Sequence, residues 1–392
     1  MKNSIKNISL LLVFLLLLMS GCTRTEEISA QKADERTDVS VTVPEKKEAG
    51  NADVTKEEAC LFENCYYYEQ LSQKQQEIYK QVYRALTNRT EVAVSTLSAQ
   101  ELDKVYTCVL NDHPEIFYTE SYICTTHSRN NETVKLSFQG QYTYDENEAL
   151  NRRAAMEKEA ARILSGLPGG ASDFDKIKYI FDTLVGETEY VTDAKDNQNI
   201  CSVLIGHEST CQGYAKATQY LLNKAGIYAT LVTGEVEGGS HAWNLVMSDG
   251  EWYYLDTTWG DVDYQSLQEN AVDKEVMPVN YDYFLIASDR LCKTHVPGKI
   301  VPLPTCAATA DNYYVHEGLY VTGLDVRLLH EIFENAYEKG EGVVQFQCAN
   351  DAVFEQVSAY LLDEQHIFDF VDTLNSVPYF DNPKTDTLCF WL

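Results

Sequence analysis

Three short blocks of this chain carry the residue types that thiol chemistry needs: Cys211-Gln212-Gly213-Tyr214-Ala215, His241-Ala242-Trp243-Asn244 and Asp256-Thr257-Thr258-Trp259. A thiol is an effective nucleophile only as its thiolate, so it requires a base and a favourable local field. The base in turn requires a third group to fix its tautomer and orientation. A cysteine, a histidine and an aspartate in this order are the parts of an acyl-transfer site.

The neighbouring residues supply elements to hold them. Ser209 and Thr210 are good N-cap residues, and Tyr214, Ala217, Thr218, Leu221 and Leu222 follow at helical spacing, closed by Lys224 and then Gly226. With Thr210 as N-cap, Cys211 is the first helical residue. Its sulfur then lies at the positive end of the helix dipole, and its backbone N–H is free to help stabilise an oxyanion. Gly213 lets a substrate or a neighbouring chain come close. Asp249-Gly250 signals a two-residue type I′ turn between strand-like runs at Ala242 to Val246 and Trp252 to Leu255. That turn pairs Ser248 with Glu251, and the continued register sets Trp243 opposite Asp256. His241 shares a face with Trp243, so His241 and Asp256 are diagonal same-face neighbours, roughly 7 Å apart along the backbone. Asn244 falls on the other face and is the poorer candidate orienter.

These blocks resemble the transglutaminase-like superfamily, a papain-related group of cysteine acyltransferases, amidases and peptidases, and within it the bacterial branch. The resemblance runs from about Phe174 to Leu291 and rests on CQGYAKATQYLL, the apolar strand Ala229 to Thr233, HAWNLV and WYYLDTTWGD in order. It implies an α+β fold, with a Cys-bearing helix packed on an antiparallel sheet carrying His and Asp. It also implies Cys211 as nucleophile, His241 as general base and Asp256 as the group orienting His241. Gln212 stands where classical animal transglutaminases carry tryptophan, a departure from the family pattern that counts against cross-linking activity and leaves hydrolase versus transferase open. Trp243 and Trp259 read as sheet and core aromatics, with Trp259 close enough to Asp256 to shield it from water. His113, before Pro114, and His295 have no comparable context and read as structural.

At 392 residues the chain is long enough for two or three domains. Its formal charge of −29 argues against nucleic acid as a partner and against electrostatic adsorption to anionic lipid. Lys2 and Lys6 precede an apolar run from Ile8 to Met19 that is short for a membrane span. Leu18-Met19-Ser20-Gly21-Cys22 then resembles a bacterial lipobox, which implies cleavage before Cys22 and lipid on Cys22. Two or more acyl chains anchor a protein stably, at ~0.8 kcal/mol per buried methylene. The polar stretch 22–57 lacks the apolar side chains needed to fold and reads as a disordered tether with a relaxed reach of roughly 30 Å.

Capping signals at Ser72/Gln75 and Ser98/Glu101 open two helices, Ile116 to Cys124 and Thr133 to Tyr144 read as strands, and Asp145 opens a third helix ending near Gly166. Beyond Leu291, Asn312 to Val321, Val343 to Cys348 and Thr387 to Leu392 read as strands, with helices at Leu324 to Ala336 and Ala352 to Leu362. The expected organisation is a signal peptide (1–21), the tether (22–57), an N-terminal helix and strand region (58–168), a transglutaminase-like domain (169–300) and a small C-terminal α/β module (301–392). No metal or cofactor motif is present: Cys60 and Cys65 lack a second ligand pair, and His207-Glu208 lacks the second histidine of a zincin helix. The eleven cysteines allow local disulfides such as Cys60–Cys65, Cys108–Cys124, Cys292–Cys306 and Cys348–Cys389, with the connectivity open. The leading expectation is a lipid-anchored extracytoplasmic cysteine enzyme. It would form a thioester on Cys211 from a protein or peptide amide at the cell envelope and pass the acyl group to water or an amine. The alternative is a surface-tethered binding or scaffolding protein that keeps the fold without turnover. The oligomeric state is open.

Overall fold

The computed structural model describes residues 62–130, 132–261, 279–371 and 376–392. The expected leader, Cys22, the expected tether and Cys60 lie outside the described residues.

The chain opens with Tyr66–Glu69, a single helical turn, and then α1 (Gln73–Asn88), whose capping box is made by Ser72 and Gln75. The short strand β1 (Val92–Val94) leads into α2 (Ala99–Asp112), where the Ser98 hydroxyl accepts from Glu101 N. Strands β2 (Thr119–Arg129) and β3 (Glu132–Tyr142) form an antiparallel hairpin, completed by β1 on the far edge of β3. β2 starts later than the sequence pattern predicts, because residues 114–118 turn after Pro114. Asp145 caps α3 (Glu146–Leu164), and Ser172 with Asp175 box-caps α4 (Asp173–Glu187).

Next comes α5 (Cys211–Lys224), followed by β4 (Ala229–Val236), β5 (Gly239–Ser248) and β6 (Glu251–Leu255). With β7 (His295–Pro297) these build an antiparallel sheet in the order β6-β5-β4-β7. Asp249 and Gly250 both take positive φ, as a type I′ turn requires, and Ser248 pairs with Glu251. The fold is therefore α+β, with a cysteine-bearing helix against an antiparallel sheet. One continuous hydrophobic core reaches from Phe62 to Cys306, so α1 to α3 and this sheet are packed together. Tyr67 OH donates to Leu231 O at 2.8 Å, and Gln219 Nε2 donates to Asn111 O at 2.9 Å across that packing.

A second core lies within 321–390. It is built by β8 (Tyr320–Val321), α6 (Val326–Lys339), β9 (Val343–Cys348), α7 (Asp351–Ser358), β10 (Tyr379–Asn382) and β11 (Thr387–Trp391), in the sheet order β8-β9-β11-β10. The pattern at Asn312 to Val321 predicts a strand, but Asn312 caps the short helix Tyr313–His316 and only Tyr320–Val321 is extended. The asparagine side chain satisfies Val315 N and so favours a helical turn. Arg290 docks this module onto the rest, donating to Thr385 O at 2.9 Å, Cys348 O at 2.8 Å and Ala349 O at 3.0 Å. Buried Asp282 accepts from Thr385 Oγ1 at 2.6 Å and Asn382 Nδ2 at 3.0 Å. The nine described cysteines are all free thiols, so the local bridges Cys108–Cys124, Cys292–Cys306 and Cys348–Cys389 are not made. Among the described residues no helix is long and apolar enough to cross a membrane.

Candidate functional site

Cys211 is the first residue of α5 and Thr210 its N-cap, in extended conformation. The Thr210 hydroxyl does not cap the helix. It donates instead to Asn197 O at 2.7 Å, so no side chain closes the N-terminus of α5. The positive end of the dipole is left facing the half-buried thiol. Gly213 is required by the chain itself, since a Cβ there would meet Ser209 Oγ at 2.0 Å and Ser202 Oγ at 2.6 Å. Of the two roles its sequence allows, close approach of the neighbouring chain is the one observed.

Polar contacts to α4, to the loop after β6 and to the sheet fix α5 in place. Tyr214 OH donates to Thr188 O at 2.8 Å or to Asp261 Oδ2 at 2.9 Å, and Thr218 and Thr257 hydroxyls meet at 2.9 Å. Asn244 Nδ2 donates to Ala215 O at 2.9 Å. Asn244 thus uses the face away from His241 to hold the helix, as its position in the strand requires. Ala215, Leu231 and Ala242 form a small apolar floor against which Cys211 packs.

His241, on β5, bonds through Nε2 to Asp256 Oδ2 at 2.7 Å. The diagonal contact expected from the Asp249-Gly250 turn is therefore formed. The other oxygen, Asp256 Oδ1, accepts from Thr258 N at 3.0 Å and Trp259 N at 3.3 Å. Burial of His241 opposes its charge, but the Asp256 carboxylate, its hydrogen bond and the Cys211 sulfur outweigh that, and the imidazole is pushed up to about 10. Burial likewise opposes charge on Asp256, yet His241 and His295 hold its carboxyl well below the usual carboxylate range. Since Nε2 is taken by Asp256, Nδ1 is the nitrogen left to face Cys211, whose sulfur favours charge on His241. The arrangement favours an imidazolium at His241, with the Asp256 carboxylate behind it.

Two residues of the site were not legible in the sequence. His295, read there as structural, is fully buried and bonds through Nε2 to the same Asp256 Oδ2 at 3.2 Å. Tyr190 is 48 % exposed beside the site; burial, then the charges of Cys211 and Asp256, push its phenol up. Trp259 covers the two imidazoles, with ring centroids 5.5 Å from His241 and 4.5 Å from His295. The donor atoms of His241, Asp256 and His295 lie within 4.8 Å of one another, close enough to meet on a cation. At 2.7 and 3.2 Å from Oδ2, however, the two nitrogens sit at hydrogen-bond range. Ligand atoms on a tetrahedral zinc with ~2.0–2.1 Å bonds are about 3.3 Å apart.

Residues 160–257 match the model of the transglutaminase-like superfamily. That part of the chain is a transglutaminase-like domain. The matched stretch contains Cys211, His241 and Asp256 and ends before His295. Kyphoscoliosis peptidase of Mus musculus is 27% identical over 143 residues, covering 32% of this chain and 21% of that protein. Kyphoscoliosis peptidase of Homo sapiens is 25% identical over the same shares. The chain thus spans about a fifth of the length of these relatives. A crystal structure of a TGase is similar over 41% of this chain and 48% of that one, at 15% identity and a TM-score of 0.27.

Proposed function

We propose that this protein is a cysteine enzyme that forms a thioester on Cys211 from a peptide or protein amide and releases the acyl group to water or to an amine. The observation that carries this reading is the His241–Asp256 bond at 2.7 Å behind a thiol at an uncapped helix start. In the first half-reaction Cys211 Sγ attacks the amide carbonyl and the C–S bond forms. His241 gives its proton to the departing amine as the C–N bond breaks. In the second, His241 takes a proton from water or an amine as that group attacks the thioester, and the thiolate leaves. Backbone N–H groups at the start of α5 face the oxyanion formed in each step. The name peptidase carried by the two matched relatives favours water as the acceptor.

The chain's leader adds a location to this reading. Lipid on Cys22 would hold the enzyme at the outer side of a bacterial cytoplasmic membrane, with 22–57 as the tether to envelope proteins. The test is direct trapping. An activated peptide ester should add an acyl mass to Cys211 that hydroxylamine removes, and Cys211→Ala should add none. An acyl mass found elsewhere, or none on the wild type, would leave a binding protein as the better reading.

A further inference from the structure

Asp256 serves two imidazoles rather than one. His241 comes from β5 and His295 from β7, the strand that pairs with the far edge of β4. Both Nε2 atoms reach the same oxygen, Oδ2, at 2.7 and 3.2 Å. The second ring is held in turn. His295 Nδ1 lies 2.8 Å from Thr294 Oγ1, which lies 3.0 Å from Tyr283 OH. When Tyr283 donates to Thr294 and Thr294 donates to His295 Nδ1, His295 is the tautomer with its proton on Nε2, aimed at Asp256. Thr294 Oγ1 also lies 3.4 Å from Leu291 O, but the 2.8 Å contact to His295 Nδ1 is the shorter and takes the hydroxyl proton. The carboxylate's other oxygen already has Thr258 N and Trp259 N, so all four donors around Asp256 are accounted for.

We propose that His295 is a positioning residue for the Cys211–His241–Asp256 set, donating to the oxygen that His241 uses and so limiting how strongly Asp256 holds the His241 proton. This rests on the proposed thiol chemistry. A base gripped too firmly by its carboxylate is a poor proton donor to a leaving amine, and a second donor on the same oxygen weakens that grip. Among the described residues, Cys211 and Asp256 face His241, Asp256 and Tyr283 face His295, and Tyr190 lies near Cys211 and Asp256. A packing role for His295 is the competing account, because its ring lies 4.8 Å from Trp243, 4.5 Å from Trp259 and 5.1 Å from Tyr283. Phenylalanine would fill that role, whereas it cannot donate to Asp256.

The test is the pH dependence of Cys211 alkylation by iodoacetate in the full-length protein, with the site read by peptide mass spectrometry. This anionic reagent needs the thiolate and is drawn by the imidazolium, so the alkaline limb follows loss of the His241 charge. In His295→Phe that limb should move up by ~0.5–1 pH unit, because a hydrogen-bond donor to the carboxylate is gone. His295→Gln, whose amide can donate to Oδ2, should bring it back toward the wild type. Thr294→Val should move it the same way by less, and it decides the question if His295→Phe does not fold. A wild-type limb retained in His295→Phe, or a glutamine variant that behaves like phenylalanine, would overturn the proposal. A wild type whose Cys211 shows no enhanced alkylation below the usual thiol range would instead remove the triad reading on which it stands.

Discussion

Replacing Asp256 by asparagine isolates the charge behind His241 while keeping the side chain's shape. The surroundings dictate how the amide must sit. Thr258 N and Trp259 N both donate to Asp256 Oδ1, so the asparagine oxygen has to take that place. Its NH2 then faces the Nε2 atoms of both His241 and His295, and His241 must turn from donor to acceptor. The remaining imidazole proton moves to Nδ1, the nitrogen that should receive the Cys211 proton. The variant thus loses the carboxylate and acquires the wrong tautomer. Holding the imidazolium from its usual ~6.5 up to about 10 corresponds to about 5 kcal/mol. We expect alkylation of Cys211 near pH 6, and any amidase activity, to fall by roughly two to four orders of magnitude with the fold retained. The raised His241 contributes stability that is complete below ~6.5 and is lost as pH climbs toward about 10; lowered Asp256 contributes stability present above ~3.9 and lost below it. The melting-temperature gap between wild type and Asp256→Asn should therefore be widest between about pH 4 and 6.5 and close by about 10. Alkylation at the wild-type rate near pH 6, or a gap independent of pH, would refute the charge-pair reasoning.

Three further outcomes follow from the same geometry. Cys65 also faces a histidine with a carboxylate behind it, at 3.9 Å from His113 Nε2 with Glu115 2.9 Å from Nδ1, yet burial and the charges of Asp112 and Glu115 push its thiol far up; mass-spectrometric footprinting should find it unlabelled in the native protein. Gly213→Ala should destabilise the fold by about 1–3 kcal/mol and reduce Cys211 reactivity, since the methyl group would displace Ser209 and Ser202 under the helix start; denaturant melts and alkylation rates measure both. Cys22→Ser should release the protein from the detergent phase or leave its leader uncut, and a wild-type protein found free in the cytosol would contradict the anchor.

The parts of the site that sequence exposes are those encoded by local pattern. Helical spacing after Thr210 places Cys211 at a helix start, and a two-residue Asp-Gly turn fixes the register that brings His241 to Asp256. The same alternation puts Asn244 on the opposite face, where it holds α5. His295 escapes such reasoning because its partner lies 39 residues away and its own strand is three residues long. Nothing in the period of so short a strand announces a pairing with β4. Tyr190 is likewise brought in by a two-residue strand that pairs in parallel with Glu208–Ser209. Thr210 shows the limit of a residue-type rule. It is the N-cap by position, but Asn197 O claims its hydroxyl and the helix end stays open. In the C-terminal module, Asn312 diverts a strand-like run into a helical turn, and the short strand Tyr379–Asn382 is held by its hairpin pairing with β11.

The central claim is that Cys211 is the activated thiol of this chain, and selective labelling tests it most directly. The full-length native protein would be treated briefly with iodoacetamide near pH 5.5, well below the ~8.5 of a free cysteine, and every thiol quantified by peptide mass spectrometry. Cys211 should be labelled first, ahead of Cys292, which is exposed but lacks a histidine partner among the described residues, and Cys211→Ala should lose that fast phase. Cys292 labelled as fast as Cys211, or a fast phase that survives in Cys211→Ala, would contradict the account.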